Sequence, residues 1–223
     1  MNPTPRTFVP LLGALGFLVF YLAVGPVAGM FAVGDIPRPG TPAEEVYAFL
    51  AANGTASVVT AILQTLSVLG LAVVVARTVR TPSREADTVP RRVAAVAGWT
   101  AVAAMLVSAV TAVVLSVLVP QLSVEAAVNV RSVSFVTGGV VHVVALGVFV
   151  AALAGSGGWT RPVRVTAWIA AVPAVLSLVS VLWPMAMALL PLGRLLGMAA
   201  LVVAGVSLVR GRSRVPREVE GVR

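Results

Sequence analysis

The chain has no cysteine, no lysine, a single histidine (His142) and only eight acidic residues among 223. Without cysteine there is neither a disulfide framework nor a thiolate metal site. One histidine, with no carboxylate inside any long apolar stretch, leaves a metal ion without ligands there. A phosphate-binding glycine loop, an HExxH helix and a nucleophile elbow are also missing, so no cofactor is expected and no catalytic residue is nominated. The lack of buried acids weighs against proton- or cation-coupled transport, which uses them.

What remains is mostly hydrocarbon: 59% of residues are hydrophobic, 11% are charged, and the mean hydropathy is +1.02. That composition belongs to an integral membrane protein rather than a soluble domain. A helix crossing a bilayer core of about 30 Å needs about 20 apolar residues, because lipid offers unpaired backbone groups no partners. Six stretches qualify, at about 8–33, 55–76, 93–119, 133–154, 165–182 and 185–209. Trp183-Pro184 is the breaker between the last two, which as one helix would be too long for a single crossing. The expectation is an all-α, six-helix bundle forming one transmembrane domain over 1–223, with a basic cytoplasmic tail at 210–223.

All sixteen basic residues are arginine, and they are unevenly placed. With the N-terminus inside, thirteen fall in cytoplasmic segments, two outside (Arg38 and Arg131) and one, Arg194, within a span. Under the positive-inside rule both termini are cytoplasmic. The net charge of +8 is then an orientation signal, so nucleic acid is not an expected partner. The arginines of "RTVRTPSREADTVPRR" and of the tail should instead meet anionic lipid headgroups. The arginine, alanine and valine bias resembles GC-rich bacterial usage, which makes a bacterial plasma membrane the expected location. The first span is longer than a secretory h-region, so its retention is expected.

The outer segment "GDIPRPGTPAEEVYAFLAANGT" carries its own helix signals. Thr41 reads as N-cap, Pro42 as first helical residue, Glu44 as the other half of a capping box, and Asn53-Gly54 as the stop. A short helix over about 42–52 should lie on the membrane or cap the bundle, with Val46, Phe49 and Leu50 on one face.

Polar groups at depth each need a reason. Counted from the outer ends of their spans, Gln64, His142 and Arg194 each lie about nine residues in, roughly 13 Å at about 1.5 Å per residue. Thr111 and Ser177 or Ser180 reach nearly the same level, and Tyr21 lies a little deeper. His142 shares a face with Gly138 and Ala145, so another helix can come close enough for the ring to bond Gln64, Ser177 or a carbonyl. That structural role outweighs a proton relay or pH sensor. Arg194 is the most demanding residue, because its guanidinium stays charged. It can snorkel to headgroups, pair with Asp35, Glu44, Glu45 or Glu125 folded in from the outer loops, or hold an anionic or carbonyl-bearing ligand. Gly193 and Gly197 beside it, and Gly25 and Gly29 on the first span, form small-residue steps suited to close packing within the bundle or against a second copy or membrane partner.

Two segments, "WTRPVRVTAWIAAVPAVLSLVSV" and "LLPLGRLLGMAALVVAGVSLVRG", resemble the domain-of-unknown-function 4386 family of bacterial six-helix membrane proteins. They carry a Pro-plus-aromatic start to the fifth span, and a Leu-Pro start and glycine exit for the sixth. The resemblance implies the same six-helix fold, and the family supplies no established activity. An acidic residue tends to stand in that family where Arg194 stands here, so ligand chemistry does not carry over.

Three functional classes follow. A non-enzymatic structural, regulatory or partner-binding protein is favoured, because the intramembrane polar set is small. A small-solute carrier, with Arg194, His142 and Gln64 lining an outward-facing site, comes second, and an intramembrane enzyme third. The topology is directly testable because the chain is free of cysteine. In intact cells a membrane-impermeant maleimide should label Thr41→Cys and leave Ser83→Cys and Ser213→Cys unlabelled until the membrane is opened. The reverse pattern would invert the orientation.

Overall fold

A computed structural model describes residues 8–37, 40–79 and 88–211. Arg6, Arg38, the inner segment at 80–87 and the tail beyond Gly211 lie outside the described residues. Those described form helices and connecting turns, with no strand among them. In chain order the helices are α1 (Val9–Gly29), α2 (Ala43–Ala52), α3 (Gly54–Val79), α4 (Thr88–Leu118), α5 (Val124–Phe135), α6 (His142–Gly155), α7 (Arg161–Leu176) and α8 (Leu189–Val209). A π-helical turn, Val136–Val141, joins α5 to α6 without interruption. Six helical runs, at 9–29, 54–78, 89–121, 124–155, 161–181 and 185–209, are long and apolar enough to cross a membrane. Apolar side chains such as Leu12, Val19, Val110, Val117, Ile169 and Val172 are exposed along them. Lipid tolerates such a surface where water does not. The chain is a multi-pass membrane protein.

Local chemistry explains where these runs begin and end. Ser123 caps α5, its Oγ accepting from the Ala126 N–H at 3.2 Å. The fourth run therefore starts at Val124, nine residues before the expected 133. Trp183 is extended (φ −132°, ψ 105°) ahead of Pro184, as a residue before proline should be, and splits the last two spans as expected. At α2 the expectation is corrected. Pro42, with ψ 145°, is the non-helical flanking residue, and its carbonyl accepts from Val46 N–H at 3.1 Å. No side chain caps the helix, because the start has moved one residue past the register that a Thr41–Glu44 box requires. Asn53 does end α2, and it does more. Buried at 2% exposure, it accepts from Val33 N–H at 2.7 Å and donates to the Val33 and Phe49 carbonyls, tying the end of α2 to the segment after α1. Tyr47 and Leu50 pack against Leu115, Val119 and Ala127, and the Tyr47 hydroxyl donates to Val119 O at 2.9 Å. Thus α2 caps the bundle over the end of α4 and the start of α5.

The spans pack in sequence order, α1 on α3, α3 on α4, α4 on α6, α6 on α7 and α7 on α8, and α8 closes the ring against α1. The α5–α6 run also reaches α8 and is the most enclosed of the six. Phe17, Leu71, Met105, Leu146, Phe149 and Met198 fill the centre. Lipid tails are as apolar as these side chains, so helix association rests on close packing and interhelical hydrogen bonds rather than on water exclusion. The α1–α3 crossing shows both. A Cβ on Gly70 would lie 2.5 Å from Gly13 O and 2.6 Å from Phe17 N, and beside it Ser67 Oγ donates to Phe17 O at 2.6 Å.

Gly70→Ala should therefore force the two backbones apart and cost about 1–3 kcal/mol. Gly25→Ala, where a Cβ meets nothing within 4 Å, should be neutral or slightly stabilising. Thermal unfolding in detergent compares the two, and equal effects would refute the crossing geometry.

Candidate functional site: a buried arginine on a π-turn

The stretch Val136-Thr-Gly-Gly-Val-Val is a poor α-helix former, combining β-branched residues with two glycines. It adopts a π-helical turn, a form that recurs at functional sites. In an α-helix Gly138 O would accept the His142 N–H. Here that N–H is directed to Thr137 O and Gly139 O, so it does not take up the Gly138 carbonyl. Arg194 Nη2 donates to Gly138 O instead.

Arg194 is buried, at 8% exposure, one turn into α8. Its guanidinium carbon lies 5.1 Å from the centroid of the Tyr21 ring on α1. The cation thus sits between a carbonyl of the fourth run and an aromatic face of the first. A charge-assisted hydrogen bond and a desolvated cation–π contact, the latter worth up to about 2 kcal/mol, offset part of its desolvation. His142 is wholly buried, and its Nδ1 lies 2.8 Å from Ala101 O on α4. A carbonyl only accepts, so Nδ1 is the donor and, in the neutral ring, Nε2 is an acceptor. Phe17 meets the imidazole edge to face at 6.1 Å. Three buried atoms lack partners among the described residues: His142 Nε2, Arg194 Nε and Ser180 Oγ. The first two are complementary, since one accepts and the other donates.

The remaining members of the expected layer are satisfied locally or stand apart. Thr111 Oγ1 donates to Val107 O at 2.8 Å and buried Ser177 Oγ to Ala174 O at 2.6 Å, each within its own helical run. Gln64 is half-buried on α3 and takes no part in the bonds of Arg194 or His142. Asp35, Glu44, Glu45 and Glu125 are all exposed, and Arg194 has the carbonyl and the ring as its partners. Gly193 and Gly197 serve packing inside the bundle: a Cβ on them would meet Ala174 Cα at 2.6 Å and Leu146 Cδ2 at 2.9 Å. Gly25 and Gly29 are exposed with open space beside them.

Sequence reasoning passed over Ser108 and the bond it makes with Ser134. Ser108 Oγ donates to Ser134 O at 2.8 Å and lies 2.9 Å from Ser134 Oγ, clamping α4 to α5 just above the π-turn. The available signal was spacing, because Ser134 precedes Gly138 by one helical turn. Among the described residues no group of three His, Cys, Asp or Glu side chains could hold a metal ion. Chemically the site is a polar tie joining α1, α4, the α5–α6 run and α8. Compared with known protein families, curated proteins and solved structures, the chain has no match.

A Cβ on Gly138 would lie 2.2 Å from Ser108 Oγ and 2.5 Å from Ser108 Cβ. Gly138→Ala should lower stability by about 1–3 kcal/mol, and adding Ser108→Gly should restore part of the loss. Strictly additive losses in the double variant would show that this contact does not set the helix spacing.

Proposed function

We propose that this is a non-enzymatic protein of the bacterial plasma membrane, with both termini cytoplasmic and a structural, regulatory or partner-binding role. One observation carries the reading. The principal interhelical hydrogen bonds of the buried polar groups end on backbone carbonyls: Arg194 on Gly138, His142 on Ala101 and Ser67 on Phe17. Groups held this way hold helices together. The arginine asymmetry supports the orientation, and the basic inner segments suit anionic headgroups. The exposed Gly25 and Gly29 offer a helix face for a second copy or a membrane partner.

A second reading, a carrier for small polar solutes, draws on the unpartnered Arg194 Nε and His142 Nε2. Reconstituted vesicles separate the two. On the structural reading, Arg194→Met lowers the Tm by several degrees, and the wild type conducts small anions no faster than empty vesicles. Flux in the wild type that Arg194→Met abolishes, with Tm unchanged, would overturn it in favour of the carrier.

A further inference from the structure

A second polar site lies under α2, away from Arg194. A cavity of about 90 Å³ is bounded by α2, α3, the end of α4 and α5. Leu50, Leu115 and Val119 form an apolar wall, and Arg131 also lines it. Arg131 is half-buried, and its hydrogen bond from Nη2 to Pro37 O is long at 3.4 Å. No acidic side chain among the described residues bonds it, and Glu44, Glu45 and Glu125 at this end of the bundle are exposed. The chamber therefore combines a fork of largely uncommitted N–H donors with a small hydrocarbon surface.

We propose that this cavity binds a small monocarboxylate with a short apolar tail, the carboxylate on the Arg131 guanidinium and the tail against Leu50, Leu115 and Val119. The guanidinium fork matches a carboxylate in a bidentate way. A single cation in a partly desolvated chamber calls for one negative charge. The serine hydroxyls at the cavity argue against a more highly charged anion. Ser57 Oγ donates to Asn53 O at 3.0 Å and Ser116 Oγ to Val113 O at 2.7 Å, so both turn lone pairs rather than protons toward an occupant. Phosphate would find one good donor group where it needs several. The volume limits the tail to a few carbons. The third serine at the cavity, Ser134, is the one clamped to Ser108 above the π-turn, so an occupant touches the same helical run that presents Gly138 to Arg194. This site is independent of the role proposed above.

The test uses the full chain in nanodiscs, with thermal unfolding and calorimetry at constant ionic strength. Sodium propionate should raise the Tm saturably at millimolar concentration, with acetate weaker and octanoate, too long for the cavity, without effect. Arg131→Gln should remove the propionate shift. Ala112→Leu, which fills the apolar side of the cavity while keeping the cation, should remove it as well. A shift by phosphate or chloride as large as that by propionate, no shift at all, or a shift retained in Arg131→Gln would each overturn the assignment.

Discussion

A guanidinium cannot shed its charge in a bilayer, and Arg194 places that charge where three of the six spans meet. The π-turn directs the His142 N–H to Thr137 O and Gly139 O, and the Gly138 carbonyl, which an α-helix would pair with that N–H, accepts from Arg194. A regular α-helix through Val136–Val141 would make Arg194 share this carbonyl with the His142 N–H. The irregularity in the fourth run and the charge in α8 thus compensate each other. Irregular backbone at membrane depth is tolerated where protein buries it, and here the α5–α6 run is the most enclosed of the spans.

That arrangement requires backbones to come very close. Gly138 lies against Ser108, Gly193 against Ala174 and Gly70 against Gly13, each with no room for a Cβ. Within lipid the gain from such contacts is dispersion and short hydrogen bonds, since no water is displaced between the helices. Small residues therefore do what large apolar ones do in a soluble core, and the bulky side chains are shared between the centre and the lipid-facing wall.

Much of the fold was legible from residue order. Six apolar runs, the Trp183-Pro184 break, a short α2 and a stop at Asn53 all follow from local propensity and hydropathy. The misplacements came from competition between neighbouring local signals. Pro42 displaced the cap expected at Thr41, and Ser123 started the fourth run at Val124, because a polar stretch at a membrane surface can continue an apolar helix without interruption. Depth counted from span ends put His142 and Arg194 in one layer. The early start of the fourth run places His142 further from its helix end than that count supposed.

Composition and spacing alone determined that the chain has six runs able to cross a membrane, that it carries a permanent cation and one imidazole at depth, and that glycines surround both. Those properties depend on hydrocarbon length and side-chain chemistry, which belong to the sequence itself. Which partners the cation and the imidazole take was decided only by the tertiary structure. A backbone carbonyl has no residue-type signature, and Gly138 O and Ala101 O became acceptors through a π-turn and a helix crossing that local sequence does not encode. The cavity beside Arg131 is of the same kind, an outcome of how α2 settles on its neighbours.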